Sequence, residues 1–189
     1  MDGELSPRFA EAFEYAFNLH RRQTRKGSRT PYLAHLMAVS ALVLQDGGSE
    51  DEAIAGLLHD AVEDQGGLPV LEAIRLRFGE RVAQIVAGCS DSYGHPKPPW
   101  RERKTAYIQH LSGASPEVLR VSLADKLHNA RSIWNDLQSN GEALWTQFKG
   151  GKRGTLWYYR ALVEAFKPRC SSPMLAELEG VVERIEAAA

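Results

Sequence analysis

An all-α fold is predicted for this chain on three observations. Apolar residues recur at helical spacing, Ser or Thr precedes Pro where helices could begin, and strand signals are missing. No sustained apolar/polar alternation occurs, and the Asn140-Gly141 dipeptide follows a helical segment and reads as its stop, not as a hairpin.

The elements follow in order. Ser6-Pro7 starts a first helix whose buried stripe is expected at Phe9, Phe13, Ala16 and Phe17. Thr30-Pro31 opens a second, carrying Leu33, Leu36, Met37 and Leu44. Ser49 and Glu52 form a capping box ahead of a third, with Ile54, Leu57, Leu58 and Val62 inward and the helix running on through Asp64. Further helices are expected over 68–79, 80–91, 99–112, 116–137, 141–148, 154–167 and 173–186, the 116–137 helix capped by Ser115-Pro116. The Gly/Pro-rich connectors, such as "DGGS", "QGGLP" and "KGGKRG", are short enough to join neighbouring helices.

At 189 residues the chain suits one domain, 1–189, with a core over about 8–167 and a last helix over about 173–186. Its formal net charge of -1 gives no overall field toward nucleic acid or a membrane, so neither is expected as a partner. Cys89 and Cys170 stand far apart, without a CxxC pair, and the N-terminal stretch lacks a signal-peptide pattern. No apolar run approaches the roughly 20 residues that span a bilayer, and a cytoplasmic protein is the expectation.

Certain polar residues do not fit a plain helical core. In "LLHDAVED", His59 and Glu63 are four apart, as are Asp60 and Asp64, so one helix would present a two-by-two patch of ligands and proton carriers. His35 lies one turn into the apolar "TPYLAHLMAVSALVL". Asp125 lies amid "LRVSLADKLHNARSI", with Asn129 one turn on and Lys126 and Arg131 nearby. A lone core histidine or a salt-bridged aspartate is common. Three helices bringing His, His-Asp and Asp to one core instead make a mixed nitrogen/oxygen site for a divalent transition metal, with Mn, Fe, Co and Zn all compatible. The clusters "RRQTRKGSR" and Lys97, Arg101, Arg103, Lys104 supply local positive charge, and Arg25 and Lys26, close to His35, suit phosphate.

The pattern of His35, His59-Asp60 and Asp125 resembles the HD superfamily of metal-dependent phosphohydrolases. "RKGSRTPYLAH", "LLHDAVED" and "LADKLHNAR" are similar to the hydrolase domain of the RelA/SpoT proteins and its stand-alone form, the small alarmone hydrolases, from about residue 8 to about residue 167. The resemblance implies an all-helical fold and manganese-dependent removal of the 3′-pyrophosphate of ppGpp and pppGpp. It implies His35, His59, Asp60 and Asp125 as metal ligands, and Glu63 and Asp64 as the acidic pair acting on water. It implies Arg25, Lys26, Tyr32 and Asn129 as contacts to a guanosine nucleotide, with Lys126, Arg153 and Tyr158 as further candidates. The sequence departs from the family at Leu36, where Pro is usual, and in "CSDSYGHPKPPW". Two other functions remain compatible: a phosphomonoesterase acting on nucleotides or NADPH, and a catalytically silent nucleotide-binding module. Oligomeric state is open.

Overall fold

In the computed structural model, residues 4–91 and 96–189 are described; residues 1–3 and residues 92–95, the latter inside "CSDSYGHPKPPW", lie outside the described residues. Ser6 caps α1 (Pro7–His20) through its side chain, as its place before Pro7 predicts. The buried face of α1 is only partly the expected one: Ala16 points inward as expected, together with Ala12 and His20, while Phe13 and Phe17 are 37% and 45% exposed. The helix lies against α3 (Glu50–Leu58), and alanines at the contact let the two backbones approach. Hydrophobicity alone favours the phenylalanines; the packing distance favours the small residues.

The second helix, α2 (Leu33–Gln45), begins later than Thr30-Pro31 predicts, with Tyr32 at its N-cap and no side-chain cap. Pro31 instead forms an isolated antiparallel bridge with Thr24, and Tyr32 N donates to Gln23 O at 2.9 Å. That loop pairing overrides the local capping signal. No strand occurs among the described residues.

The capping box of Ser49 and Glu52 forms as expected and starts α3. The helix does not run through Asp64. It stops at Leu58, and α4 (Ala61–Gln65) follows, with Asp60 at φ -96, ψ -4 in the junction. The side chain of His59 takes up a carbonyl of the last turn, Nδ1 lying 2.8 Å from Gly56 O.

Next come α5 (Leu68–Phe78), α6 (Glu80–Cys89) and α7 (Trp100–Leu111), then the long α8 (Pro116–Asn140), capped by Ser115. Gly141, at φ +54, ends α8 as the Asn-Gly pair predicts. The segment expected as a helix over 141–148 is a 3-10 helix, Gly141–Gln147, with Leu144 and Trp145 buried. Two helices complete the fold, α9 (Gly151–Phe166) and α10 (Pro173–Ala188). Helix α8 packs against α2, α3, α6 and α10, so the elements that carry His35, His59 and Asp125 share one core.

The α2–α3 contact sets the spacing of that core. A Cβ on Gly56 would sit 3.0 Å from Ser40 Cα and 3.2 Å from Ser40 N, so the Ser40 backbone would have to give by a few tenths of an ångström. Ser40 Oγ also donates to Ala53 O at 2.9 Å, tying the two helices together. Gly56→Ala is expected to force the pair apart and destabilise the protein by about 1–3 kcal/mol. A thermal melt checks this, and an unchanged midpoint would mean the contact has slack.

Candidate metal centre and substrate cavity

His35 stands in the first turn of α2, His59 at the end of α3, and Asp125 in the middle of α8; all three are buried. Their ligand atoms lie within 4.8 Å of one another. His35 Nε2 is 3.2 Å from Asp125 Oδ1 and 3.6 Å from Asp60 Oδ2; His59 Nε2 is 3.0 Å from Asp60 Oδ2 and 3.5 Å from Asp125 Oδ1. Close as these atoms are, neither Nε2 is hydrogen-bonded, and both are buried. Unpaired buried nitrogens are costly, and lone pairs aimed at a shared point beside carboxylates are what a divalent cation needs. The donor set therefore fits a divalent transition metal.

Each candidate ligand has a further partner. His59 Nδ1 bonds the Gly56 carbonyl, and His35 Nδ1 lies 2.8 Å from His128 Nδ1. Tyr32 OH donates to Asp60 Oδ2 at 2.5 Å. Asn129 Nδ2 donates to Asp125 Oδ1 at 2.5 Å, and Lys126 pairs with Asp125 Oδ2. Arg25 Nη2 completes the chain by donating to Asn129 Oδ1 at 2.6 Å.

Charge follows from this crowding. Burial opposes it, but the Asp60 and Asp125 carboxylates raise His59 well above its ordinary value. Burial likewise opposes ionisation of Asp60 and Asp125, yet His59 and His35 hold Asp60 far below the usual carboxylate range, and Lys126 and the same histidines do so for Asp125. Burial and Asp60 push the Tyr32 hydroxyl up, so it remains a donor. Burial, the nearby His35 and Arg25 bring His128 down to about 4.

Because the helix breaks at His59-Asp60, Glu63 and Asp64 do not form the stacked patch of a continuous helix. They diverge. Glu63 Oε1 pairs with Lys97 Nζ at 2.8 Å and lies 3.8 Å from Arg103, which itself binds Asp91. Asp64 Oδ2 accepts from Gln23 Nε2 at 2.8 Å. Burial and Asp91 raise Glu63 against the pull of Lys97, and desolvation at the cavity wall with Asp60 raises Asp64. Both carboxyls are thereby moved toward the range useful for proton transfer.

The centre opens on a cavity of about 560 Å³ walled by the 24–31 loop, α8, the 3-10 helix and α9. Arg25, Lys26, Lys104 and Lys126 line it, so positive charge gathers here despite the net charge of -1. A smaller space of about 190 Å³ adjoins it, sharing Arg25, Tyr32, Lys104, Lys126, Asn129 and Tyr158, and reaches Asp60, Glu63 and Asp64. Tyr158 is buried with its hydroxyl unpaired. Arg153 is exposed and does not line either space, so the structure leaves that candidate outside the site. Of the second basic cluster, Arg101 lies over the Trp157 ring, 3.1 Å from its centroid, while Lys97 and Arg103 face the acidic residues.

Sequence reasoning misses Gln23, His20, Asp91 and His128. His20 Nδ1 and Gln65 Nε2 both bond Gln23 Oε1, at 2.7 and 2.5 Å, which fixes the amide that holds Asp64. His128 carries a legible signal, since three residues after Asp125 is the same side of a helix. The Gln23 network has none, because it depends on how the loop folds back.

A family model described as HD domain matches residues 12–156. The guanosine-3′,5′-bis(diphosphate) 3′-pyrophosphohydrolase MESH1 of Xenopus tropicalis is 35% identical over 156 residues, 77% of this chain and 84% of that protein. Its Homo sapiens counterpart is 32% identical over 176 residues, 87% of this chain and 94% of that one. A solved structure of a metazoan ortholog of SpoT that hydrolyzes ppGpp and plays a role in starvation responses superimposes with a TM-score of 0.79 at 28% identity. That match covers 96% of this chain and 97% of the other.

The raised His59 gives a signed expectation for pH. Ligation needs neutral imidazole, whereas Asp60 and Asp125 stay ionised, so only the histidine proton competes with the cation near neutrality. Divalent-ion affinity should fall with pH below the raised value of His59, by about tenfold per unit where one proton is displaced. Calorimetric Mn²⁺ titrations between about pH 6 and 8 check it. A flat profile would contradict the placement.

Proposed function

The chain belongs to the HD domain family, and on that premise we propose that it is a manganese-dependent hydrolase removing the 3′-pyrophosphate of ppGpp and pppGpp. The observation that carries this reading is the meeting of two bare, buried Nε2 atoms with the Asp125 carboxylate at the mouth of a basic cavity. The names of the relatives, which are pyrophosphohydrolases of guanosine-bis(diphosphate), support the substrate class.

His35, His59, Asp60 and Asp125 would hold the ion. When bound, a divalent cation supplies Lewis acidity, polarising a phosphoryl oxygen and favouring water as a nucleophile at neutral pH. Arg25 and Lys26 neutralise the phosphates as these enter, and Lys104 and Lys126 meet them from the opposite wall. Arg25 also steers Asn129, so the residue that meets the substrate is bonded to one that holds a ligand carboxylate.

Water attacks the phosphorus nearest the ribose, and the bond to the ribose 3′-oxygen breaks. One proton leaves the water and one reaches the departing oxygen, giving a nucleoside hydroxyl and free pyrophosphate. Glu63 and Asp64 handle these protons from opposite sides. Lys97 keeps Glu63 available as an acceptor, and Asp64, raised by Asp60, serves as the donor. Tyr158, with its free hydroxyl in the shared wall, offers a donor to a phosphate or ribose oxygen.

Metal-loaded protein should convert ppGpp to GDP and pyrophosphate, and chelation should stop it. Asp60→Ala should abolish turnover, and Glu63→Gln should lower kcat by about 10²–10⁴. Orthophosphate as the product, from ppGpp or from NADPH, would overturn the pyrophosphohydrolase reading in favour of a phosphomonoesterase. Tight nucleotide binding without any turnover would mark a silent binding module.

A further inference from the structure

Two imidazoles meet edge to edge behind the metal centre, and the reaction outlined above employs only one of them. His35 and His128 face each other through their Nδ1 atoms at 2.8 Å, with ring centroids 4.8 Å apart and planes inclined by 46°. Two bare nitrogens at that distance repel, and two N–H groups collide. A neutral pair is bonded only when one proton lies between them.

That proton could belong to either ring, and the other end of His35 decides. His35 Nε2 is buried, has no hydrogen-bond partner and belongs to the group formed with His59 and Asp125. A metal-binding nitrogen must present its lone pair. A neutral imidazole with Nε2 bare carries its proton on Nδ1, so His35 is the donor and His128 the acceptor. His128 then keeps its own proton on Nε2.

The two candidate ligand histidines thus meet the same need differently. His59 closes a helix and bonds the carbonyl three residues back, Gly56 O. His35 begins a helix, and the carbonyl three residues back, Tyr32 O, already accepts His35 N at 2.9 Å. For His35 the acceptor comes instead from α8, three residues after Asp125 on the same side.

We propose that His128 is a positioning residue for the metal centre: by accepting Nδ1–H from His35 it selects the tautomer, and fixes the ring orientation, that turns Nε2 toward a divalent cation. The proposal rests on reading the His/Asp group as a metal site, but not on which nucleotide is hydrolysed. Metal-binding histidines depend strongly on such outer partners.

The test is Mn²⁺ affinity, titrated without substrate, for the full chain carrying His128→Leu or His128→Asn, with thermal melts of the metal-free forms. Leu removes the acceptor; Asn keeps an oxygen close to the place of Nδ1. The Leu variant is expected to bind Mn²⁺ about 10–100-fold more weakly, with most of the affinity restored in the Asn variant. Wild-type affinity in the Leu variant overturns the proposal, as do equal losses in both. Wild-type protein that binds no divalent ion overturns the metal-site reading beneath it. Should the Leu variant fail to fold, ¹⁵N–¹H correlation spectra of Zn²⁺-loaded wild-type protein decide. They are expected to show His35 protonated at Nδ1, and a proton on its Nε2 overturns the proposal.

Discussion

Burying ionisable groups without letting them neutralise one another is the constraint on which the rest of this structure depends. His35, His59 and Asp125 are all within the core, where an uncompensated charge costs several kcal/mol. The surroundings nevertheless give each group a partner: Gly56 O for His59, His128 for His35, Tyr32 for Asp60, and Asn129 with Lys126 for Asp125. The Nε2 atoms of His35 and His59 are left bare together, beside the Asp125 carboxylate. A protein that merely tolerated these residues would scatter them among ordinary salt bridges.

The same logic separates the acidic pair. Glu63 and Asp64 are adjacent in sequence, yet one is tied to Lys97 and the other to Gln23. Different partners allow neighbouring carboxyls to hold different protonation states, which adjacent groups in a uniform setting would not do. The kink at His59-Asp60 makes this possible, since it turns α4 away from the axis of α3. Close contact between Gly56 and Ser40 then keeps the kinked end near α2.

Much of the fold and of the centre is legible in the sequence where the governing physics is local or chemical. Ser6-Pro7, Ser49 with Glu52 and Ser115-Pro116 mark true helix starts because a cap is a bond between neighbours. His35, His59 and Asp125 are recognisable because their residue types are hard to justify in a core without a shared task. Legibility ends where distant segments decide. Phe13, Phe17 and Met37 fit a buried stripe by hydrophobicity as Ala16 and Leu36 do, but of these only Ala16 and Leu36 are buried, with Ala12 beside them. Thr30-Pro31 looks like a cap until Gln23 pairs with Tyr32. Arg153 has the right charge for a phosphate and faces away from the cavity, which only the orientation of α9 determines.

The short loop closed by the Thr24–Pro31 bridge has an implication for how such an enzyme can diversify. Arg25 and Lys26 line the cavity from this loop, Gln23 and Tyr32 flank it, and Tyr32 and Gln23 reach Asp60 and Asp64. Selectivity cannot be rewritten on this wall without disturbing the machinery that cuts the bond. Thr155 and Tyr159, on α9, line the same cavity and make no hydrogen bond to that machinery among the described residues. Substitutions at Thr155 or Tyr159 would therefore reshape the substrate space while leaving the bonds to Asp60 and Asp64 intact.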